Sequence, residues 1–332
     1  MNPKPKAVFL LSESSYDAIY GTAERQAIAE RAEILGPLLT SESWAQCPDV
    51  THSVEWIFSG WGMPVMDERF LSAFPNLRVL FYGAGSIKGF VTEAFWQRGI
   101  TVTSAYAANA VPVAEFAFAQ IILSLKGMWR AARRMKQDRV HAREEVLGAY
   151  DTTVGLISLG MIGRLVAERL KSLHVHVVAY DPFCSQAEAS KLGVELCSLE
   201  ELFAKAEVVS CHAPWLKETE GMLHKAHFAR MKQGATFINT ARGAVVNEAD
   251  LIEVLSARPD LFVLLDVTWP EPPVPDSPLY DLPNVALTPH IAGSIGNECR
   301  RMGQYMIDEA DRLLAGSPLL YAINREQSLR MA

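Results

Sequence analysis

An arginine, a glutamate and a histidine each follow a short apolar run in the last third of the chain. Arg242 lies in the stretch 239–243, Glu271 in a proline-rich stretch, and His290 in the stretch 288–293. A guanidinium offers paired donors to neighbouring oxygens, so Arg242 can bind a carboxylate and polarise a carbonyl. A histidine titrates near neutrality and can exchange a proton with the carbonyl oxygen. The set predicts acid–base chemistry on an anionic carbonyl compound.

A carboxylate beside the histidine would complete this chemistry. Glu271 is the residue expected to orient His290 and to stabilise its protonated form. Taken alone, each residue has an ordinary alternative: Arg242 as a surface arginine, Glu271 as a loop charge and His290 as a cap after a proline. In isolation, these ordinary alternatives would be favoured.

Buried parallel strands must position these side chains. After residue 151, short apolar runs alternate with helical stretches, which is typical of a parallel sheet covered on both faces. In a doubly wound sheet, ligands bind at the carboxyl ends of the strands, where Arg242 is expected. The predicted strands are 154–157, 176–180, 208–212, 236–239, 263–266 and 285–287.

The first hundred residues predict a smaller α/β unit. Residues 111–128 have apolar positions at helical spacing and predict a long, largely buried helix. Residues 129–150 are charged and irregular and are interpreted as a solvated arm. A polar helix is expected over about 296–314. The strands predicted for the first unit are 7–11, 56–58, 79–82 and 101–103.

A degenerate dinucleotide fingerprint lies at residues 153–164. In the pattern GxGxxG, the second glycine lets the backbone approach a pyrophosphate, and the third lets the helix pack against the strand. Gly160 and Gly163 occupy those positions, and the helix N-terminus would present free N–H groups to the phosphates. Ser158 replaces the first glycine, which we expect to be tolerated only if its φ is negative.

Asp181 follows the next predicted strand, 18 residues after Gly163. A carboxylate there accepts both ribose hydroxyls of NAD and repels the 2′-phosphate of NADP. An exposed turn aspartate before Pro182 is the ordinary alternative. The fingerprint upstream favours the ribose role, so we expect NAD(H) to be preferred over NADP.

Together these stretches resemble the NAD-dependent D-2-hydroxyacid dehydrogenase family from about residue 77 to residue 293. The resemblance implies an α/β fold with two doubly wound domains. A Rossmann-type NAD-binding domain, 105–296, would be inserted in a smaller flavodoxin-like substrate domain, 1–104 plus 297–332. It also implies a D-specific enzyme that transfers a hydride between NAD(H) and a small 2-hydroxy or 2-oxo acid, working as a 2-oxo acid reductase.

The same resemblance assigns roles to individual residues. Arg242, Glu271 and His290 become the catalytic set, and the backbone N–H groups of Gly85 and Ser86 hold the substrate carboxylate. The residues expected to line the NAD site are Ser158, Gly160, Met161, Ile162, Gly163, Asp181, His212, Ala213, Pro214, Thr219, Thr240, Ala241, Asp266, His290 and Gly293. The family also implies a homodimer formed through the NAD-binding domain, with contacts in 111–150.

Composition argues against several other classes of protein. The formal net charge of the 332 residues is −7, which gives no electrostatic case for binding nucleic acid or an anionic membrane. The apolar run at 7–11 is too short for a signal sequence or a membrane span. The five cysteines are scattered and form no CxxC pair, so a disulfide framework or a metal site is not expected. A reducing cytoplasm fits this pattern.

Other functions share parts of the pattern. Formate dehydrogenases of the family carry glutamine where this chain has Glu271, which argues against that reaction. The three catalytic residues do not exclude phosphite oxidation. An NAD-sensing scaffold, similar to the family's transcriptional corepressors, would keep the same residues. The sequence leaves open the substrate side chain, the physiological direction and the effect of Ser158.

Overall fold

The computed structural model describes residues 3–141, 146 and 148–331. The chain separates into two compact units, one of Met1–Asn109 with Ser294–Met331 and one of Ala110–Gly293. The functional division expected from the sequence, 1–104 plus 297–332 around 105–296, stays a prediction.

Strands and helices are numbered in chain order over the described residues. The strands are β1 Lys6–Leu10, β2 Glu33–Ile34, β3 Trp56–Ser59, β4 Val79–Tyr82, β5 Thr101–Ser104, β6 Tyr150–Ile157, β7 His174–Tyr180, β8 Val194–Leu196, β9 Val208–Cys211, β10 Thr236–Asn239, β11 Phe262–Leu265, β12 Val285–Leu287 and β13 Ala322–Ile323. The α-helices are α1 Glu13–Ile19, α2 Thr22–Arg31, α3 Pro48–Thr51, α4 Glu68–Ala73, α5 Glu93–Gln97, α6 Tyr106–Leu125, α7 Met128–Arg133, α8 Met161–Leu170, α9 Gln186–Lys191, α10 Leu199–Lys205, α11 Lys225–Ala229, α12 Glu248–Ala257, α13 Cys299–Leu314 and α14 Arg325–Ser328.

The first unit contains a sheet in the order β13-β5-β4-β3-β1-β2. The pairs from β2 to β5 are parallel, and β13 is antiparallel to β5. The order β2-β1-β3-β4-β5 is the flavodoxin-like arrangement expected from the sequence. The sequence did not predict β2 and β13, because two residues are too short to show a periodic pattern.

Aromatic side chains on neighbouring strands fill the core of this unit. Phe58 and Phe81 stack with ring centroids 4.8 Å apart, and Trp56 meets Phe81 edge to face at 5.2 Å. Removing each such ring from water contributes about 1.5–3 kcal/mol. Helix α13 covers this side of the sheet with buried Met302, Met306 and other apolar residues, so the helix predicted as polar is amphipathic.

The second unit contains a sheet in the order β12-β11-β10-β9-β6-β7-β8, with all strands parallel. This is the Rossmann-type order, which reverses between β6 and β9. The predicted fold class of two doubly wound α/β units is therefore confirmed. The sequence missed β8, which is three residues long and lies at the sheet edge.

Helix α6 supplies a buried face to the second unit through Ala114, Ala117, Ile121 and Leu125. By length and composition alone it is apolar enough to cross a membrane, and 44% of the relevant window is buried inside the protein. Core helices of water-soluble proteins commonly pass the same test.

The sequence predicted an irregular arm at 129–150. This prediction is wrong for the first part of the segment. Helix α7 is followed by a π-helical turn at Arg134–Asp138. Arg130 and Arg133 anchor α7 by donating to the carbonyls of Asp260, at 3.2 Å, and Pro283, at 2.5 Å. Residues 142–145 and 147, which belong to the predicted dimer contact, lie outside the described residues.

Candidate active site

Arg242 lies just beyond the carboxyl end of β10, where the chain enters a short 3-10 helix, Gly243–Val245. The buried side chain of Asn239 shapes this turn. Its Oδ1 accepts from the N–H of Ala241 at 3.0 Å, and its Nδ2 donates to the carbonyl of Arg242 at 3.0 Å. The guanidinium donates to the carbonyl of Ala241 at 2.6 Å, so its orientation is partly fixed.

The charge of Arg242 is only partly balanced. Burial lowers the pKa of the Arg242 guanidinium, and the negative charge of Glu271 acts in the opposite direction. The ordinary pKa of arginine is high enough that the group stays cationic. A half-buried cation of this kind attracts an anionic ligand.

Gly243 lets the arginine turn approach the strand-end loop that follows β11. A Cβ at Gly243 would lie 2.0 Å from the backbone carbonyl of Thr268, closer than real side chains come. Only glycine permits this approach, which brings the turn carrying Arg242 next to the segment that leads to Glu271.

His290 and Glu271 contact each other directly. His290 Nδ1 lies 2.6 Å from Glu271 Oε1. An ionised carboxylate can only accept, so we assign the Nδ1 hydrogen to His290 as the donor. Nε2 is then the nitrogen that can exchange a proton with a ligand. The two side chains are 47% and 39% exposed, so a ligand can reach them.

Asp266, at the end of β11, organises the loop that carries His290. It is 3% exposed. Its Oδ1 accepts from Thr288 Oγ1 at 2.6 Å and from the N–H of Ile291 at 2.8 Å, and its Oδ2 accepts from the N–H of Ala292 at 2.9 Å. The sequence predicted a cofactor contact for this carboxylate. Both of its oxygens bind the histidine loop, and the cofactor contact stays a prediction.

The fingerprint segment forms the predicted strand, turn and helix. Gly160 is the N-cap of α8, so the N–H groups of Met161 and Ile162 lie in the first helical turn. A Cβ at Gly163 would lie 2.1 Å from the carbonyl oxygen of Ser158, which explains why a glycine is needed there. For a Cβ added at Gly160, the nearest atom would be Ser158 Oγ at 3.8 Å. The space beside Gly160 can therefore take a ligand.

Ser158 contradicts the expectation of a negative φ, because its φ is 75°. The first position of the fingerprint therefore keeps the left-handed turn that glycine adopts, although serine pays a steric cost for it. The N–H of Ser158 donates to the carbonyl of Tyr180 at 2.8 Å. This strand-end hydrogen bond holds the turn in place.

Asp181 lies at the end of β7 and faces the fingerprint turn. Its Oδ2 accepts from the N–H of Leu159 at 2.6 Å, and its Oδ1 accepts from the N–H groups of Phe183 and Cys184 at 2.8 and 3.0 Å. Ribose hydroxyls would share the remaining lone pairs of this carboxylate. The Asp181 side chain can thus stabilise the turn and bind the ribose at the same time.

Two buried polar atoms near the strand ends fit the polar groups of a cofactor. Within the described residues, His212 Nδ1 and Thr240 Oγ1 are buried and have no hydrogen-bond partner. Such atoms are costly unless a ligand or water satisfies them. Burial also lowers the pKa of His212 to about 4, so the ring is neutral, and Ser210 Oγ lies 3.1 Å from its Nε2.

These features fit a dinucleotide along the carboxyl edge of the second sheet. Gly160 and the α8 N-terminus would hold the phosphates, Asp181 the ribose, and His212 and Thr240 a polar part of the cofactor. Ala213 and Ala241 are buried, Pro214 is half-buried, and Gly293 ends the histidine loop.

Thr219 was also expected to line the cofactor. Its Oγ1 donates to the carbonyl of Pro214 at 2.6 Å and accepts from the N–H of Leu216 at 2.8 Å. The hydroxyl therefore closes the turn after β9, and its contact with the cofactor stays a prediction.

The predicted substrate loop lies in the first unit, after β4. Gly85 and Ser86 are half-buried there. The buried hydroxyl of Ser104 lies 2.8 Å from the carbonyl of Ala84 and 2.6 Å from that of Gly85. Drawing these carbonyls inward fixes the loop, and the role of the Gly85 and Ser86 N–H groups stays a prediction.

The sequence analysis assigned no role to Asn239, Thr288 or Ser104. Each is a small polar residue within a few positions of a strand end, where such side chains commonly bond to nearby backbone groups. Their position near a strand end was the signal in the sequence that could have identified these roles. Their partners, however, are set by neighbouring loops and are not visible in the sequence.

Comparison with known proteins identifies the family of this chain. A profile of the family described as D-isomer specific 2-hydroxyacid dehydrogenase, NAD binding domain, matches residues 118–292. D-3-phosphoglycerate dehydrogenase of Archaeoglobus fulgidus is 35% identical over 261 residues, covering 78% of this chain and 49% of that protein. The Bacillus subtilis protein of the same name is 29% identical over 288 residues, covering 86% and 54%. The chain spans about half the length of these curated relatives.

Solved structures share the fold over nearly the whole chain. D-mandelate dehydrogenase of Rhodotorula graminis has a TM-score of 0.83 at 24% identity, covering 97% of this chain and 98% of that chain. A D-isomer specific 2-hydroxyacid dehydrogenase of Lactobacillus delbrueckii, in an NAD-complexed form, has a TM-score of 0.79 at 21% identity, covering 96% and 100%. By its profile match, the chain belongs to the D-isomer-specific 2-hydroxyacid dehydrogenase family.

Proposed function

We propose that this protein is an NAD(H)-dependent D-2-hydroxyacid dehydrogenase that works as a 2-oxo acid reductase. The observation that carries the proposal is the 2.6 Å contact between His290 Nδ1 and Glu271 Oε1. This contact orients an accessible imidazole so that Nε2 can exchange a proton. Arg242 supplies a cation at the end of a nearby strand of the same sheet.

Each of these residues has its own role in the proposed reduction. The backbone N–H groups of Gly85 and Ser86 bind the substrate carboxylate. Arg242 anchors the substrate and polarises its carbonyl, because a guanidinium can address two neighbouring oxygens. NADH, when bound, supplies the hydride. His290 donates a proton from Nε2 to the carbonyl oxygen, and Glu271 stabilises the imidazolium until then.

NADH is the proposed cofactor in preference to NADPH. The support is Asp181, a carboxylate held by three backbone N–H groups at the end of β7. Its fixed negative charge opposes a 2′-phosphate. Comparing kcat/KM for NADH and NADPH tests this, and equal values in the wild type would refute the preference.

A cytoplasmic homodimer formed through the NAD-binding domain is also proposed. Segment 111–150 carries exposed apolar side chains at Met128, Met135, Val140 and Val146. A dimer contact would remove such side chains from water. Sedimentation of the wild type against a variant with Met135→Glu and Val140→Glu tests this, with a shift from dimer to monomer expected in the variant.

The experiment that tests the main proposal is a turnover assay. NADH oxidation is followed at 340 nm with glyoxylate, hydroxypyruvate and pyruvate, and the chirality of the lactate formed is determined. We expect turnover and D-lactate. NAD-dependent oxidation of phosphite without turnover of any 2-oxo acid would overturn the proposal in favour of the phosphite reaction. NADH binding without any turnover would favour a sensing scaffold.

A further inference from the structure

An uncharged apolar loop follows β3 at residues 60–66, with the sequence Gly-Trp-Gly-Met-Pro-Val-Met. Trp61 is 40% exposed and Val65 is 52% exposed, whereas Met66 is buried. Single exposed apolar residues are ordinary on protein surfaces. Here two of them lie in one short loop at the carboxyl edge of a parallel sheet, which is where such sheets bind ligands.

This apolar loop runs beside the candidate substrate loop. β3 and β4 are parallel neighbours, with Ser59 paired to Tyr82 at their ends. At the start of the two loops, the N–H of Gly83 donates to the carbonyl of Ser59 at 2.8 Å. The loop 60–66 therefore leaves the sheet next to the loop that carries Gly85 and Ser86.

A second hydrogen bond joins the two segments further on. The N–H of Met66 donates to the carbonyl of Phe90 at 2.8 Å. Met63, between the exposed residues, packs against the cluster that includes Tyr82 and Ile87. The apolar loop is thus bonded to its neighbour at both ends and packed against it in the middle.

The apolar loop is also fixed from its other side. The carbonyl of Trp61 accepts from the N–H of Ser12 at 3.0 Å. Gly62 has a φ of 89°, and a Cβ there would lie 2.7 Å from the Ser12 nitrogen. Ser59 Oγ lies 3.1 Å from the sulfur of Met63. A loop ordered in advance loses little entropy when a ligand binds.

We infer that Trp61, Met63 and Val65 receive the side chain of the substrate, and that this side chain is bulky and apolar. The substrate class is then 2-oxo acids with an aromatic or branched aliphatic group. The inference rests on the proposed function, because Gly85 and Ser86 are assigned the carboxylate of the same molecule. Because the two loops are bonded to each other at both ends, we place the side chain of that molecule against the apolar loop.

A phosphorylated side chain does not match this surface. Phosphate is recognised by arginine, lysine or clustered N–H groups. Residues 60–66 contain no cationic side chain. Lys88 is a cation within the adjoining loop, so a phosphorylated 2-oxo acid belongs in the test as the opposing case.

The first measurement uses the wild-type protein alone. kcat/KM with NADH is determined for glyoxylate, pyruvate, 4-methyl-2-oxopentanoate, phenylpyruvate and 3-phosphohydroxypyruvate. We expect 4-methyl-2-oxopentanoate or phenylpyruvate to exceed both glyoxylate and 3-phosphohydroxypyruvate by at least about 10-fold, because apolar contacts discriminate on this scale. A maximum at 3-phosphohydroxypyruvate, or equal values across the panel, would overturn the inference.

The second measurement uses substitutions in the apolar loop. Trp61→Ala should lower kcat/KM for the preferred bulky substrate by about 10- to 100-fold and leave glyoxylate within about 2-fold. Trp61→Phe should recover part of the loss. Leu329→Ala, at a residue that is 68% exposed elsewhere in the first unit, is the matched control and should change neither substrate.

The outcomes separate this inference from the proposed function. Turnover of 2-oxo acids with no dependence on side-chain size or on Trp61 would sink the inference and leave the proposed function standing. Equal losses for glyoxylate and the bulky substrate in Trp61→Ala would also count against it, since they indicate a general structural role. Absence of turnover with every 2-oxo acid would contradict the proposed function itself.

Discussion

The carboxylate of Asp266 accepts a hydrogen bond at 2.8 Å from the backbone N–H of Ile291, one residue beyond His290. His290 itself has a φ of 54°, which is costly for a residue with a side chain. The bonds from Thr288, Ile291 and Ala292 to Asp266 offset that strain. Asp266 therefore positions the histidine, whatever further contact it makes with the cofactor.

Asp266→Asn should destabilise the protein and reduce turnover. An amide NH₂ would replace one acceptor oxygen and face the N–H donors of the loop. We expect a loss of about 2–4 kcal/mol in the free energy of unfolding, as for buried hydrogen bonds to a charged group. Urea unfolding measures it. Asp276→Asn, at an exposed aspartate, is the control and should change stability by less than about 0.5 kcal/mol.

Arg242→Ala should lower kcat/KM by at least roughly 3 kcal/mol in transition-state free energy, because a charge-assisted contact to the reacting carbonyl is lost. Arg242→Lys keeps the charge but loses the planar pair of donors, so it should still be strongly impaired. Steady-state kinetics with a 2-oxo acid and NADH measure both. Arg230→Ala, at an exposed arginine, should behave as the wild type. Near-wild-type turnover in Arg242→Ala would refute the site.

His290→Ala should reduce the rate of reduction by about 10²–10⁴-fold, the usual loss when a positioned acid is removed. Glu271→Gln should cost less, because the glutamine oxygen can still accept from Nδ1 but carries no charge to stabilise the imidazolium. NADH binding, measured by fluorescence, should survive both changes. Glu218→Gln, at an exposed glutamate, is the control. A wild-type rate in Glu271→Gln would show that this carboxylate does not assist the proton donor.

Much of the fold was predictable because its signals are local. Strands β3, β4, β9 and β10 are buried along their whole length and stand out as short bounded apolar runs. β2, β8 and β13 have two or three residues and depend on pairing with neighbours that the sequence does not identify. The helical start of 128–138 was missed because its charged residues masked the helical pattern.

The candidate site was predictable in its residue types and less so in its contacts. Arg242, Glu271 and His290 were proposed from their motifs, and the structure places Glu271 against His290. The roles of Asn239 and Ser104 were not found, because a side chain that shapes a neighbouring loop leaves no spacing pattern. The φ of Ser158 was predicted wrongly, since steric preference was weighed without the turn that strand and helix impose.

The ion pair between Arg258 and Asp260 should make stability depend on pH in the acid range. The Arg258 guanidinium, which donates to Asp260 at 2.8 Å, lowers the pKa of that carboxyl below its ordinary value. A pKa that is lower in the folded state gives a stability contribution that is complete above the unfolded pKa of about 3.9. It is lost as the pH falls through the folded pKa.

Asp260→Asn removes this contribution. The variant should be less stable than the wild type at pH 7, and the difference should shrink as the pH falls below about 4. Urea midpoints measured from pH 7 to pH 2.5 test it. Asp308→Asn, at an exposed aspartate of α13, is the control. A difference that is constant over that range would contradict the assignment.

Ser158→Gly should stabilise the protein slightly. The left-handed conformation costs a residue with a Cβ about 1–2 kcal/mol, whereas glycine adds about 0.5–1 kcal/mol of backbone entropy cost on folding. The Ser158 hydroxyl lies 3.5 Å from Asp181 Oδ2, too far for a strong hydrogen bond, so its removal costs little. Ser158→Ala keeps the steric cost and is the matched control. Glycine should therefore exceed alanine by about 0.5–1 kcal/mol in urea unfolding without cofactor. An alanine variant more stable than the glycine variant would show that the backbone at this position is not strained.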